Sequence, residues 1–386
     1  MTPQLSHSLS QARAQTDSLF DLVRPDALYE RPIPERHRIV FYLGHLEAFD
    51  RNLLGPALDL PAFHPSFDRL FSFGIDPESG DLPTDRPSDW PAEAEVREYN
   101  ARVRGQVDAA IAQAPDDLMH VAIEHRLMHA ETFAYMLHQL PFEQKIAPAL
   151  PMAPAGPAPQ SRMVEIPAGQ ATLGRKHGDG FGWDNEFDRH QVDVPAFSIG
   201  RHKVTNGEFL EFVEAGAAAP HFWTCREGGW CYHGMFEDIP LPLNWPVYVS
   251  YEQAQAFARW KGKALPTEPQ FHRAAYDGGP IDFARENVDF RSWDPEPVTA
   301  SQPNGFGVSQ MAGNGWEWTS TRFAPFAGFQ PFSFYPGYSA NFFDGQHYVL
   351  KGGSPRTARC LMRESFRNWF RPAYPYIYAT FRLVEN

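Results

Sequence analysis

The chain has 386 residues, 43% hydrophobic and 21% charged, which is long enough for two globular domains, each with its own core. Its net charge of -13 excludes long-range attraction to nucleic acid or to an anionic membrane. No apolar run approaches the roughly 18 residues of a membrane span, and residues 1–15 lack the apolar core of a secretory signal. The 3 cysteines are too few for a disulfide framework, so we expect Cys225 and Cys231 to be reduced in a cytoplasmic protein.

Helical periodicity dominates the chain up to about residue 145. Apolar residues recur at three- and four-residue spacing in four stretches, residues 18–23, 37–54, 92–114 and 116–140. Four helices in a domain of this size predict a helical bundle. Segment 61–91 is rich in proline and aromatic residues and is long for a bundle loop, and loops of that length are usually functional or disordered.

The second half of the chain follows a different pattern. Residues 146–162 are rich in proline and alanine, which favours an extended, semi-rigid linker. Beyond them, helical periodicity is clear at residues 206–215 and 251–261 and shorter at 270–276, and strand candidates occur at 162–166, 191–199 and 348–350. We therefore predict an α+β protein, with a helical bundle at 1–145, a linker at 146–162 and a second domain at 163–386 with little regular structure.

Two histidines in the last helix of the predicted bundle, His125 and His129, are four residues apart. Residues at this spacing share one face of a helix, near enough to bind one metal ion through neutral imidazoles. Glu131 follows two residues later, and a rotation of about 200° turns it away from that face. We therefore predict that Glu131 supports the bundle and is not a metal ligand.

A third ligand for such a metal has to come from another helix. His45 is the best candidate, because it lies in the middle of a predicted helix and beside a glycine that permits close backbone approach. His37 and His120 lie near predicted helix ends, where histidines are more often solvated or capping residues. His138 is nine residues past His129 and therefore on the opposite face. From the spacing alone, neither the third ligand nor the identity of the metal is determined.

The ordered set of motifs resembles that of the ergothioneine sulfoxide synthases. His45 followed by the spacing His125–x–x–x–His129–x–Glu131 is similar to the iron-binding pattern of their DinB-like domain. The second half resembles the formylglycine-generating-enzyme-type fold, a variant of the C-type lectin fold. The matching stretches occur in the family's order: VTNGEF at 204–209, LPTEPQF at 265–271, NGFG at 304–307, MAGNGWEW at 311–318, LKGGS at 350–354 and FRL at 381–383.

This resemblance implies a reaction and its cofactors. Members of the family join a sulfur or selenium donor to imidazole C2 of hercynine, which is Nα-trimethylhistidine. The resemblance implies iron(II) bound by His45, His125 and His129, with O2 as co-substrate, and it allows a structural calcium ion in the second domain. Formylglycine generation is not expected, because it implies a pair of copper-binding cysteines near the C-terminus, where Cys360 stands alone.

Individual positions match the family's substrate-binding groups. Tyr335 and Tyr338 match a tyrosine pair whose first member resembles the catalytic tyrosine. Asn368 and Trp369 match residues that hold the betaine end of hercynine, since an indole face binds a trimethylammonium by cation–π attraction and an amide can serve the carboxylate. Arg86 matches one arginine of a pair that binds γ-glutamylcysteine in one branch.

Three positions depart from the sulfoxide synthases. Met128 stands where they carry a glutamine, Phe370 stands where a branch carries an acidic residue, and Arg86 has no second arginine beside it. Without these polar groups, a peptide donor such as γ-glutamylcysteine would bind weakly, because its carboxylates require arginine partners. In these three positions the chain resembles the selenoneine synthases, which take a selenosugar as donor.

Besides the use of a selenosugar, the sequence leaves open one function of the same enzyme class and two functions of other classes. One is an ergothioneine-type enzyme that uses cysteine, γ-glutamylcysteine or another thiol. Another is a metal-dependent thiol transferase that needs no O2, and a third is a lectin-like binding module without catalysis. The oligomeric state stays open.

Overall fold

The computed structural model describes residues 3–74, 82–149 and 154–385, and the chain divides into two units, Met1–Ala149 and Leu150–Asn386. The division falls inside the stretch predicted as a linker. The first unit is helical and the second combines short strands with a few helices, so the predicted α+β class is confirmed. Within the described ranges, none of the helices has the length and apolarity that crossing a membrane requires.

The described residues of the first unit, 3–74 and 82–149, form five α-helices. They are α1 (Pro3–Phe20), α2 (Ile39–Leu54), α3 (Pro65–Phe73), α4 (Glu93–Ala110) and α5 (Asp116–His138). The three helices predicted at 37–54, 92–114 and 116–140 are present with slightly shorter bounds. Helix α2 packs against α3, α4 and α5, and nearly all its residues are buried because it is surrounded on most sides.

Helix α1 corrects the prediction of a short helix at residues 18–23. It runs from Pro3 to Phe20, and its buried face includes Leu5, Leu9 and Leu19. Between these leucines the same face carries Ala12 and small or polar residues, so its apolar periodicity is weak in the sequence. Packing against α5 stabilises the helix despite this weak signal.

Helix α3 lies within segment 61–91, for which the sequence predicts a long loop. The imidazole of His64 accepts a hydrogen bond from the N–H of Phe67, and Pro65 occupies the first turn, as is common where helices begin. Residues 75–81 of this segment lie outside the described residues. The segment therefore contributes a helix to the bundle, and this helix contacts α2.

Between residues 154 and 385, the described part of the second unit, three α-helices match their predicted positions. They are α6 (Asn206–Glu214), α7 (Tyr251–Trp260) and α8 (Glu268–Tyr276). Each begins with a hydroxyl residue, Thr205, Ser250 or Thr267, whose oxygen accepts from a backbone N–H three residues on. A Glu or Gln at that third position returns a bond to the cap, which forms a reciprocal capping box at each helix.

The strands within residues 154–385 are short and form four small sheets. In chain order they are β1 (Met163–Ile166), β2 (Gly169–Leu173), β3 (His190–Val194), β4 (Phe197–Gly200), β5 (Trp223–Arg226), β6 (Gly229–His233), β7 (Asp238–Pro240), β8 (Trp316–Arg322), β9 (Tyr348–Lys351), β10 (Asn368–Phe370), β11 (Ala379–Thr380) and β12 (Val384–Glu385). The predicted strand at 191–199 is interrupted at Pro195, which cannot donate a ladder hydrogen bond.

The largest sheet has the strand order β10-β9-β8-β11 and carries part of the candidate site at its β10 edge. Its centre is fixed by a buried ion cluster. The carboxylate of Glu317 on β8 accepts from Lys203 Nζ at 2.6 Å and from Arg382 Nε at 2.9 Å. All three side chains are fully buried, so breaking either pair would leave an uncompensated charge in the core.

Candidate functional site

Three histidine side chains meet inside the first unit. Helix α5 places His125 and His129 on one face, and α2 contributes His45 from across the bundle. One ligand nitrogen from each ring can be chosen so that all three lie within 4.8 Å of one another. The Nε2 atoms of His45 and His129 are 3.3 Å apart. The structure thus brings together the three residues that the resemblance selects.

A hydrogen bond orients the His45 ring. Its Nδ1 lies 2.6 Å from the carbonyl oxygen of Phe71, which can only accept, so Nδ1 carries the proton and Nε2 presents its lone pair to the centre. Because Phe71 is on α3, this helix helps to orient one of the three histidines. Gly44 lets α3 approach, because a Cβ there would lie 2.5 Å from the Phe71 ring.

The surroundings keep the three imidazoles neutral. Burial lowers the pKa of His45 to about 4, and burial together with the neighbouring histidines holds the pKa values of His125 and His129 well below their usual range. Phe49 stacks on His125 with ring centroids 3.3 Å apart, and Phe41 stacks on His45 at 4.8 Å. Neutral imidazoles held by packing are the state that coordinates a metal.

The nitrogen positions fit a first-row transition metal. Bonds of about 2.1 Å to one ion place two ligand nitrogens roughly 3.0–3.4 Å apart, and the two Nε2 atoms at 3.3 Å satisfy this condition. Three imidazoles also leave coordination positions for other ligands, as catalytic metal sites require. Among the described residues, this is the one cluster of three or more His, Cys, Asp or Glu side chains close enough to hold an ion.

A buried ion network connects the two helices that carry the triad. Arg126, next to His125 on α5, donates to Glu47 at 2.9 Å and to Asp50 at 2.7 Å, both on α2. The three side chains are 1% exposed, so these charge-assisted bonds are shielded from water. The network fixes the register of α2 against α5 and so the spacing of the histidines.

The other candidates in the first unit lie outside the ligand group. His37, His120 and His138 do not belong to the cluster of three, and neither does Glu131, which is largely buried on α5. The position of Glu131 agrees with the rotation argument from its spacing.

Three predicted substrate groups of the second unit, Tyr335, Tyr338 and Trp369, form a cluster in which Tyr338 also stacks on a tryptophan that the sequence did not single out. Trp183 is fully buried, and the ring of Tyr338 stacks on it with centroids 3.9 Å apart. Tyr335 lies 5.6 Å from Tyr338, and Trp369 lies 5.4 Å from Tyr338 in an edge-to-face arrangement. Tyr335 and Trp369 keep partial exposure, so a ligand can reach both rings.

Strand β10 separates the remaining two predicted groups from Trp369. Side chains alternate along a strand, so Asn368 and Phe370 project to the face opposite Trp369. Phe370 stacks on Tyr374 with centroids 5.4 Å apart, and Asn368 Oδ1 accepts the backbone N–H of Trp369 at 2.9 Å. The pairing of Asn368 with Trp369 on one substrate end stays a prediction.

The donor-binding predictions fall on the first unit. Met128 is half-buried on α5, one residue before His129, and Arg86 is exposed at the start of a short 3-10 helix. Asp85 beside it is buried and pairs with other cations, Arg31 and Arg38, the latter at 2.8 Å. Because Asp85 is already paired with Arg31 and Arg38, the neighbouring Arg86 side chain faces solvent instead of Asp85.

The cysteines are reduced, as expected. Cys225 pairs with Trp230 across the β5–β6 hairpin, whereas Cys231 pairs with Thr224, so the two thiols project to opposite faces.

The calcium ion that the resemblance allows stays a prediction.

Comparison with known proteins places both units in known families. Residues 150–386 match the sulfatase-modifying factor enzyme 1-like domain, and residues 8–143 match the DinB superfamily. The hercynine oxygenase of Mycolicibacterium thermoresistibile is 31% identical over 99% of this chain and 94% of that protein. The hercynine oxygenase of Mycobacterium tuberculosis is 36% identical over 75% of this chain and 77% of that protein.

A fungal relative is longer than this chain. Ergothioneine biosynthesis protein 1 of Schizosaccharomyces pombe is 28% identical over 95% of this chain, which spans 54% of that protein's length. The chain thus spans about half the length of the fungal proteins it matches. The family models and the two bacterial relatives together show that the chain belongs to the family of the hercynine oxygenases.

Proposed function

We propose that the chain is a non-haem iron(II) enzyme that uses O2 to join a selenosugar to imidazole C2 of hercynine. The observation that carries the proposal is the triad of neutral imidazoles in the DinB-like unit of a chain that belongs to the hercynine oxygenase family. In this proposal the first unit supplies the metal ligands and the second supplies substrate-binding groups.

His45, His125 and His129 would hold the iron. Bound iron(II) supplies the one-electron redox chemistry that allows ground-state O2 to react with organic substrates. The hydrogen bond from His45 to Phe71 orients that ring, and such bonds to a ligand's second nitrogen also raise its basicity. The phenyl rings against His125 and His45 limit the access of water to their faces.

The proposed overall reaction is balanced with one O2. Hercynine loses the hydrogen at imidazole C2, the donor loses the hydrogen of its Se–H group, and a C–Se bond forms between them. One oxygen atom is added to selenium as a selenoxide, and the other leaves as water with the two hydrogens. The organic substrates thus lose four electrons in total, and O2 accepts four.

The aromatic cluster of the second unit suits the trimethylammonium of hercynine. This cation cannot donate hydrogen bonds, so recognition has to come from ring faces. Tyr338 stacks on Trp183 and meets Trp369 edge to face, and Phe323 covers one face of Trp369. The partly exposed rings of Trp369 and Tyr335 are therefore the ones that the cation can reach. The phenol of Tyr335 is part of the same cluster, and it would hold a proton that the reduction of O2 to water consumes.

The choice of donor rests on lost polar groups. Met128 and Phe370 offer a thioether and a phenyl ring where charged or amide groups would hold a peptide, and a thioether is a weak acceptor at best. A selenosugar carries no carboxylate pair that needs arginine. A thiol donor, cysteine or γ-glutamylcysteine, is the second candidate, favoured by the name of the fungal relatives, ergothioneine biosynthesis protein 1, and by the exposed guanidinium of Arg86.

A competition assay tests the donor. The iron-loaded protein receives hercynine and air with equal amounts of a 1-selenosugar, cysteine and γ-glutamylcysteine, and products are separated by mass spectrometry. We expect the hercynyl selenoxide to dominate, with selenium's isotope pattern. A dominant sulfoxide would show that the donor is a thiol and not a selenosugar. Unchanged product formation without O2 would show that the protein is a transferase and not an oxidase.

A further inference from the structure

A short turn at residues 183–186, in the sequence Trp-Asp-Asn-Glu, contacts both segments that carry the predicted substrate groups of the second unit. Its side chains are at most 1% exposed, including two carboxylates, Asp184 and Glu186. Buried carboxylates are costly unless hydrogen-bonded or paired. The partners of each one therefore indicate what it does.

Glu186 is fully satisfied by the segment that leads to β10. Arg363 donates to its Oε1 at 2.6 Å, and the Ser365 hydroxyl donates to its Oε2 at 2.5 Å. The N–H of Trp183 also donates to Oε1 at 2.8 Å, which closes the turn. These bonds give Glu186 an evident structural role in holding the chain ahead of Trp369.

Asp184 has a different set of partners. Its Oδ1 accepts from the hydroxyl of Ser339 at 2.5 Å, and both side chains are buried. Hydrogen bonds from the backbone N–H groups of Asn185 and Phe332 also favour its charged form, but no cation pairs with it among the described residues, and burial raises its pKa above the usual value. A buried carboxylate without a cation destabilises the fold, and such groups are often retained for function.

The partner of Asp184 lies in the loop that carries the proposed catalytic tyrosine. Backbone hydrogen bonds fold this loop into two consecutive turns, from Tyr335 N to Phe332 O at 3.1 Å and from Tyr338 N to Tyr335 O at 3.2 Å. Ser339 follows at once, so its bond to Asp184 fixes the end of the loop. Stacking of Tyr338 on Trp183 fixes the same end.

We propose that Asp184 is a positioning residue for Tyr335, which it sets against the reacting substrates by holding the 332–339 loop through Ser339. The inference rests on the proposed function for the role of Tyr335. The carboxylate also acts on the phenol through its charge. Burial raises the pKa of Tyr335, and the negative charge of Asp184 raises it further, which keeps the phenol protonated as a donor.

A double-mutant cycle separates positioning from general stability. Asp184→Asn keeps the shape and an acceptor for Ser339 but removes the charge, while Ser339→Ala keeps the charge and removes the bond. We expect each to lower kcat by about 10-fold, a coupling within the range of residues in contact, with little change in KM for hercynine. Neither change should lower kcat further in a Tyr335→Phe background. Asp193→Asn, an exposed aspartate on β3, is the control and should match the wild type.

Two results of the cycle would overturn the inference. The first is an equal loss of kcat in the wild-type and Tyr335→Phe backgrounds, because Asp184 would then act independently of the tyrosine. The second is a raised KM with unchanged kcat, which would make Asp184 a substrate-binding group. Thermal unfolding of each variant shows whether a loss of kcat reflects a loss of folded protein.

A second measurement needs no turnover. With 3-fluorotyrosine at position 335, a fluorine NMR titration reports the phenol's protonation directly. The charge of Asp184 acts on this phenol, and that of Glu186 acts in turn on Asp184. Loss of the charge in Asp184→Asn should therefore lower the titration midpoint, and an unchanged midpoint would contradict the coupling. If the wild type fails to convert hercynine, the proposed function fails, while this titration still decides whether Asp184 acts on Tyr335.

Discussion

Replacing His129 by alanine is expected to remove most of the bound metal and to abolish turnover. The change takes away a nitrogen that lies 3.3 Å from His45 Nε2 and leaves two imidazoles to hold the ion. Loss of a hydrogen-bonding partner of a ligand already costs roughly 10–100-fold in metal affinity, so loss of the ligand itself should cost more. Metal content after dialysis, measured by mass spectrometry of the elements, checks the result.

His120→Ala is the matched control for this change. His120 lies on the same helix, is half-buried and stands outside the ligand group. It should retain about one metal ion per chain. Equal metal content in the two variants would rule out the triad as the metal site, whatever the activity shows.

Tyr335→Phe should lower product formation by roughly 100-fold or divert it, as expected for loss of a positioned proton donor, while metal content stays normal. The substitution removes one hydroxyl and keeps the ring that packs near Tyr338 and Trp183. It is therefore expected to leave the fold intact. Product yield from hercynine under air, with metal content from the same preparation, checks both parts.

Tyr276→Phe controls for the loss of a phenol elsewhere in the second unit. Tyr276 is on α8, where its ring contacts Phe271 and His272, neither of which is a predicted substrate group. We expect near wild-type product formation from this variant. Unchanged yield in Tyr335→Phe as well would remove the catalytic role from Tyr335.

Much of the fold follows from local sequence patterns. The helices of the second unit begin where hydroxyl residues precede a Glu or Gln by three positions, a signal that needs no tertiary information. Helix α1 was wrongly placed because Arg13 and Thr16 lie on its buried face, where Arg13 contacts Asp108 of α4. Such a helix depends on tertiary partners, which periodicity does not reveal.

The candidate site was predictable where spacing determines geometry. The four-residue spacing of His125 and His129 implies one helical face, and the rotation to Glu131 argues against a carboxylate ligand. The bond from His45 to the Phe71 carbonyl was not predictable, because any residue can present a carbonyl oxygen and only the packing of α3 selects this one. Asp184 was missed for a similar reason, since its partner is 155 residues away.

The central claim is that the three histidines hold an iron ion that couples O2 to bond formation on hercynine. Simultaneous measurement of oxygen uptake and product formation by the iron-loaded protein, with hercynine and a selenosugar, tests it most directly. The claim predicts about one O2 consumed per hercynyl selenoxide formed, as the balanced reaction requires, and neither uptake nor product in His129→Ala. Product formed without oxygen uptake, or at the same rate in His129→Ala, would contradict it.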